Sequence, residues 1–129
     1  MTFKGRKVTM RQVALLVYPE VSLAQLTGMA EIFYFANELH RYQHPAAEPL
    51  YQLQYVQLDG ASLVSQGPLS VQCQAFSSAV DLLLLAGARH HQAPDLLAMM
   101  AYFRQRREKF IQLKQQGGQL AAACNGTFA

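Results

Sequence analysis

The sequence predicts an α/β protein built around a mostly parallel sheet. Residues 11–18 and 82–87 are apolar runs without polar alternation, the form taken by strands buried on both faces. Each precedes a longer stretch with apolar residues at helical spacing, and strands alternating with helices are the signature of a parallel sheet joined by crossovers.

The first run ends at Pro19 and reads as a central strand. Ser22 can cap the next helix, expected to reach about Arg41, in which Leu23, Leu26, Ala30, Phe33 and Ala36 recur at helical spacing. A second file, Ile32, Phe35 and Leu39, is expected to widen its apolar face. Residues 45–49 make a turn into a less buried strand, 51–58, which Asp59 and Gly60 end. The pair Gly67-Pro68 between two short strand-like segments signals a hairpin, read as a small excursion. Asp81 opens the second buried strand, and residues 87–91 form the loop at its end. Leu96, Met100, Phe103, Phe110 and Leu113 predict one helix from Asp95 toward Gln116, stopped by Gly117-Gly118. Residues 119–123 are expected to form another short buried strand. Right-handed crossovers gather the loops after Tyr18, Ala86 and Ala123 at one sheet edge, where doubly wound folds bind ligands.

A chain of 129 residues, 51% hydrophobic and 15% charged, fits one folded domain and excludes a disordered tail. Its longest strictly apolar stretch, residues 13–18, is far short of the roughly 20 residues that span a bilayer. That stretch runs into Pro19 and Glu20 without the small-residue cleavage site of a secretion signal. Cys73 and Cys124 can make at most one bridge, and no spaced Cys/His cluster suggests zinc. No metal and no cofactor are expected, and a reducing, cytoplasmic setting fits. The formal charge of +3 is divided between Lys4, Arg6, Lys7 and Arg11 at the start and Arg104, Arg106, Arg107 and Lys109 on one helix. No helix-turn-helix pattern accompanies it, so this stretch is not expected to bind DNA by itself.

Cys124 lies where the small-residue strand 120–123 meets Asn125-Gly126, the form of a nucleophile elbow, in which a tight turn exposes one side chain and needs a small residue two places on. An elbow calls for a helix after it, so the 129 residues read as the amino-terminal part of a longer domain. Residues 15–23 (Leu-Leu-Val-Tyr-Pro-Glu-Val-Ser-Leu), 28–37 (Gly-Met-Ala-Glu-Ile-Phe-Tyr-Phe-Ala-Asn), the 81–87 strand and the 118–128 elbow segment together resemble the ThiJ/PfpI branch of the class I glutamine amidotransferase-like superfamily. The nearest likeness is to the amino-terminal domains of AraC-family transcriptional regulators. The resemblance implies a flavodoxin-like three-layer sandwich that forms a homodimer, with the elbow cysteine at the bottom of a pocket for a small-molecule effector. It also implies that DNA is bound only through a helix-turn-helix domain following this segment.

Cys124 holds the nucleophile position, and the residues expected to bind ligand are Cys124, Asn125, Gln25, Gly87, Ala88 and His90. Enzymes of the resembled family often carry a histidine directly after the cysteine, a carboxylate early in the first helix and a second glycine at the oxyanion site. This chain has Asn125, Gln25 and Ala88 there. A neutral amide cannot serve as acid or base at pH 7. These departures weaken a hydrolase or hydratase reading, and with the resemblance to the regulators the expected role is a ligand-sensing, dimer-forming domain that is not an enzyme. The alternative is a cysteine-dependent hydrolase or hydratase acting on a small molecule, and a third reading is a redox sensor working through Cys124. His90 and His91 could approach Cys124, but without a third ligand or carboxylate partner they read first as solvated loop residues. Glu31 is expected to bond the backbone of a neighbouring segment, and Cys73, Met99 and Met100 to fill the core.

Overall fold

The computed structural model describes residues 9–89, 92–124 and 126, with the backbone alone at 2–3 and 6–7. There β1 (Thr2–Phe3) and β2 (Arg6–Lys7) form a small antiparallel pair apart from the main sheet. The rest runs β3 (Arg11–Leu16), α1 (Leu23–Gln43), β4 (Tyr51–Gln57), β5 (Ser62–Gln66), β6 (Leu69–Ala75), β7 (Leu82–Leu85), α2 (Ala93–Gln105), α3 (Arg107–Gln115) and β8 (Gln119–Ala122).

The main sheet has six strands in the order β5-β6-β4-β3-β7-β8, parallel throughout except for β5 against β6. Its β4-β3-β7-β8 portion has the order in which a flavodoxin-like sheet begins. The crossover through α1 moves one way across the sheet and that through α2 and α3 the other. Right-handed connections therefore set α1 on one face and α2 with α3 on the opposite face, which makes three layers. The core follows the apolar runs: Val13, Ala14, Leu15 and Leu16 of β3 and Leu83, Leu84 and Leu85 of β7 are buried. Ser22 caps α1 through its side-chain oxygen, which accepts from the Gln25 backbone N–H at 3.3 Å. The hairpin turns at Gly67, whose φ of 59° suits the first central position of a type II′ turn.

Several expectations are corrected. The 95–116 helix is two helices that meet at Arg106, whose φ of −115° and ψ of 15° leave the helical region. Arg106 turns its guanidinium to Asp59, with Nε and Nη2 donating to the carboxylate at 2.9–3.1 Å, and it stacks over the Tyr102 ring. The hairpin is no excursion, because β6 pairs in parallel with β4 and so extends the sheet. Strand β8 is exposed along its length, being an edge strand paired only with β7 among the described residues. The file Ile32, Phe35 and Leu39 faces outward: Leu23, Leu26 and Ala30 already take the buried side of α1, and residues of the second file stand on its far side. Glu31 is likewise exposed rather than set against a neighbouring backbone.

Candidate functional site

The order of the sheet reverses between β3 and β7, and the loops leaving these strands meet there. The two loops are laced together. Val21 and Ala88 form an isolated antiparallel bridge, the Ser22 N–H donates to the Gly87 carbonyl at 2.8 Å, and the Arg89 N–H donates to the Glu20 carbonyl at 2.7 Å. Arg89 and Glu20 also pair through their side chains at 2.7 Å. From the hairpin, Gln66 Nε2 donates to the Val21 carbonyl at 2.6 Å. Glu20 has a φ of 66°, a left-handed conformation that non-glycine residues adopt at a cost of about 1 kcal/mol or more.

Gln25 joins this lacing. Its side-chain oxygen accepts the Gly87 N–H, so the amide of α1 anchors the loop that leaves β7. Both main-chain polar groups of Gly87 are thus engaged inside the protein.

The turn at Cys124 has the geometry of an elbow in the backbone itself. Cys124 has a φ of 54°, and the Gly126 N–H closes the turn by donating to the Ala123 carbonyl at 3.0 Å. Gly126 is buried so tightly that a Cβ on it would lie 2.6 Å from the Ala86 carbonyl oxygen, which explains why a glycine stands two places after the cysteine. The Cys124 side chain is exposed. His90 and Asn125, and His91 with them, lie outside the described residues.

Tyr18, absent from the sequence-predicted site, connects these parts. Its hydroxyl donates to the Ala86 carbonyl at 2.7 Å, beside the Gly126 turn, and its ring packs edge-on against Phe103 at 5.0 Å. Burial, and secondarily the nearby Cys124 thiol, raise its pKa well above the ordinary phenol value. The signal for it was a tyrosine closing an apolar strand, since a buried phenol must find an acceptor. On the α2 side of Tyr18 lies a cavity of about 240 Å³ lined by Tyr18, Glu20, Ala88, Asp95, Met99 and Tyr102, among others. Of the described residues expected to bind ligand, only Ala88 reaches it. No group of metal-ligating side chains occurs among the described residues.

Two solved structures share this architecture. A candidate transcriptional regulator from Vibrio parahaemolyticus superposes with a TM-score of 0.63 at 18% identity, covering 93% of this chain and 59% of its own. An AraC family transcriptional regulator from Pseudomonas putida superposes with a TM-score of 0.54 at 21% identity, covering 91% of this chain and 57% of its own. The likeness is one of fold. This chain spans under two thirds of either protein's length. No family model and no curated protein matches the sequence. Among the described residues no helix is long and apolar enough to cross a membrane.

Proposed function

We propose that this chain is the effector-sensing and dimerisation domain of an AraC-type transcriptional regulator, a cytoplasmic protein that binds DNA through a separate domain, and that it catalyses no reaction. The observation that carries the reading is the use made of Gln25. In the resembled enzymes a carboxylate stands at that position; here it is a neutral amide, spent on holding the Gly87 N–H. An amide at that position cannot itself take up or give a proton at neutral pH, so Gln25 ties the loop instead of acting as an acid or base. The fold shared with two transcriptional regulators supports the same reading. The cavity beside Tyr18, about 240 Å³ and lined mainly by apolar surface with Tyr18, Met99 and Tyr102 among its walls, suits a small, largely apolar effector. Such an effector would press on the laced loops, and movement there is the signal to the DNA-binding part.

The competing enzyme reading draws on the exposed thiol at a left-handed turn. Selection of duplexes from a random pool by the intact protein, followed by titration with and without a metabolite mixture, tests the regulator. The expected result is a sequence preference that survives at about 150 mM salt and changes with the mixture, because charge-driven binding alone falls away steeply with salt. An intact protein without sequence preference contradicts it.

A further inference from the structure

Helix α1 ends on a pair of histidines. His40 and His44 stand four residues apart, the spacing that sets two side chains on one helix face and that helical zinc sites use for two of their ligands. Their ring centres are 5.0 Å apart, with the planes 49° from parallel. Two imidazole nitrogens that share one ion at about 2.0–2.1 Å in tetrahedral geometry put their ring centres roughly 5 Å apart, so the separation already present is the one an ion needs.

The backbone fixes the pair. The His44 N–H closes the helix by donating to the His40 carbonyl at 2.8 Å, and the His44 carbonyl accepts the Ala47 N–H at 3.0 Å in the turn beyond. Charge favours a cation here. The pair sits at the carboxyl end of a 21-residue helix, where the dipole is negative. Arg41, next to His40 in sequence, is paired with Glu38 at 2.6 Å, so its charge is balanced on the same turn. Access is open, since His40 is half-buried and His44 exposed.

We propose that His40 and His44 chelate a divalent transition-metal ion, zinc or copper(II), at the end of α1. Water completes the shell, because no group of three or more metal-ligating side chains occurs among the described residues. The site binds without catalysing: Arg41 stands where helical zinc proteases carry the glutamate that acts as base. The ion fastens the last turn of α1 to the turn that leads into β4. At about 1.5 Å per residue the pair lies roughly 25 Å along α1 from Gln25, too far for the Cys124 edge to share the ion. The proposal therefore stands apart from the sensor reading, and it departs from the expectation of no metal.

The test is zinc titration of the intact, tag-free protein by calorimetry, for the wild type, His40→Gln, His44→Gln and Cys124→Ala. The expected result is one ion bound by the wild type and by Cys124→Ala. Its dissociation constant rises at least about tenfold in either histidine variant, because the second imidazole binds at high effective concentration. Zinc should raise the thermal midpoint only where both histidines are present. Copper(II) should bind more tightly than zinc, and its paramagnetic resonance should show two imidazole nitrogens in the wild type and one in either variant. His44 is exposed, so His44→Gln carries the test even where His40→Gln disturbs the half-buried turn. A wild type that binds no zinc overturns the proposal. So does binding that both histidine variants retain, or that Cys124→Ala loses.

Discussion

Cys73 and Cys124 occupy opposite environments. Cys73 is fully buried in β6, where desolvation pushes its thiol above the ordinary value, while Cys124 is exposed at the elbow turn. The sign of the Cys73 effect follows from linkage. Its neutral form is favoured in the folded state, so that contribution to stability is full below the ordinary thiol value of 9.0 and is lost as the pH rises through the raised folded value. Alkylation of the native protein near neutral pH should therefore modify Cys124 about tenfold or more faster than Cys73, with Cys73 reacting once denaturant opens the core. Equal rates in the native state would contradict the buried placement of Cys73. The packing role of Cys73 and the turn at Cys124 were readable from residue type and position, the second from the small-residue strand before it and the glycine two places on. For Tyr18 the sequence signals only that a phenol closing an apolar strand needs an acceptor, not which one. Its acceptor, the Ala86 carbonyl, is 68 residues away.

The elements are held at their ends by polar contacts. Asn37 of α1 grips β4 with both ends of its amide: Nδ2 donates to the Tyr51 carbonyl at 2.8 Å, and Oδ1 accepts the Tyr51 N–H at 3.0 Å. Asn37→Ala would leave a donor and an acceptor at the start of β4 without these partners and should cost about 1–3 kcal/mol, read as a lower denaturation midpoint at unchanged slope. Arg106 does the same for the α2–α3 junction. Its hydrogen bonds and charge hold the Asp59 carboxyl below the ordinary value of 3.8. Stability from this pair is therefore present above that value and lost as the pH falls through the lowered folded one. Arg106→Ala should lower stability by about 1 kcal/mol or less at neutral pH, since Asp59 is largely solvated, and the gap in Tm from wild type should narrow below pH 4 or so. A gap that widens in acid would contradict the pairing. This junction also shows where sequence patterning runs out. Helical spacing continues across Arg106, and only a partner 47 residues away explains the break. Spacing likewise marked Ile32, Phe35 and Leu39 as apolar without saying which layer covers them.

At the scale of the whole molecule, the sheet was legible because two of its inner strands, β3 and β7, are near-continuous apolar runs and each leads into a helix. The buried state expected for β8 is not found: small apolar residues read as interior, whereas among the described residues the strand is exposed and pairs only with β7. What was legible of the candidate site was that the loops leaving β3 and β7 meet, not the contacts they make. The loops after β3 and β7 do converge, but Gln25 and Gly87 bond each other instead of lining the cavity, and Tyr18, Met99 and Tyr102 take that part. The central claim is that this edge senses a small molecule without transforming it. Nuclear magnetic resonance of the intact protein mixed with glyoxal, ester and isonitrile compounds over hours tests it most directly. The account predicts that the compounds persist unchanged; turnover of any of them, abolished in Cys124→Ala, would contradict it.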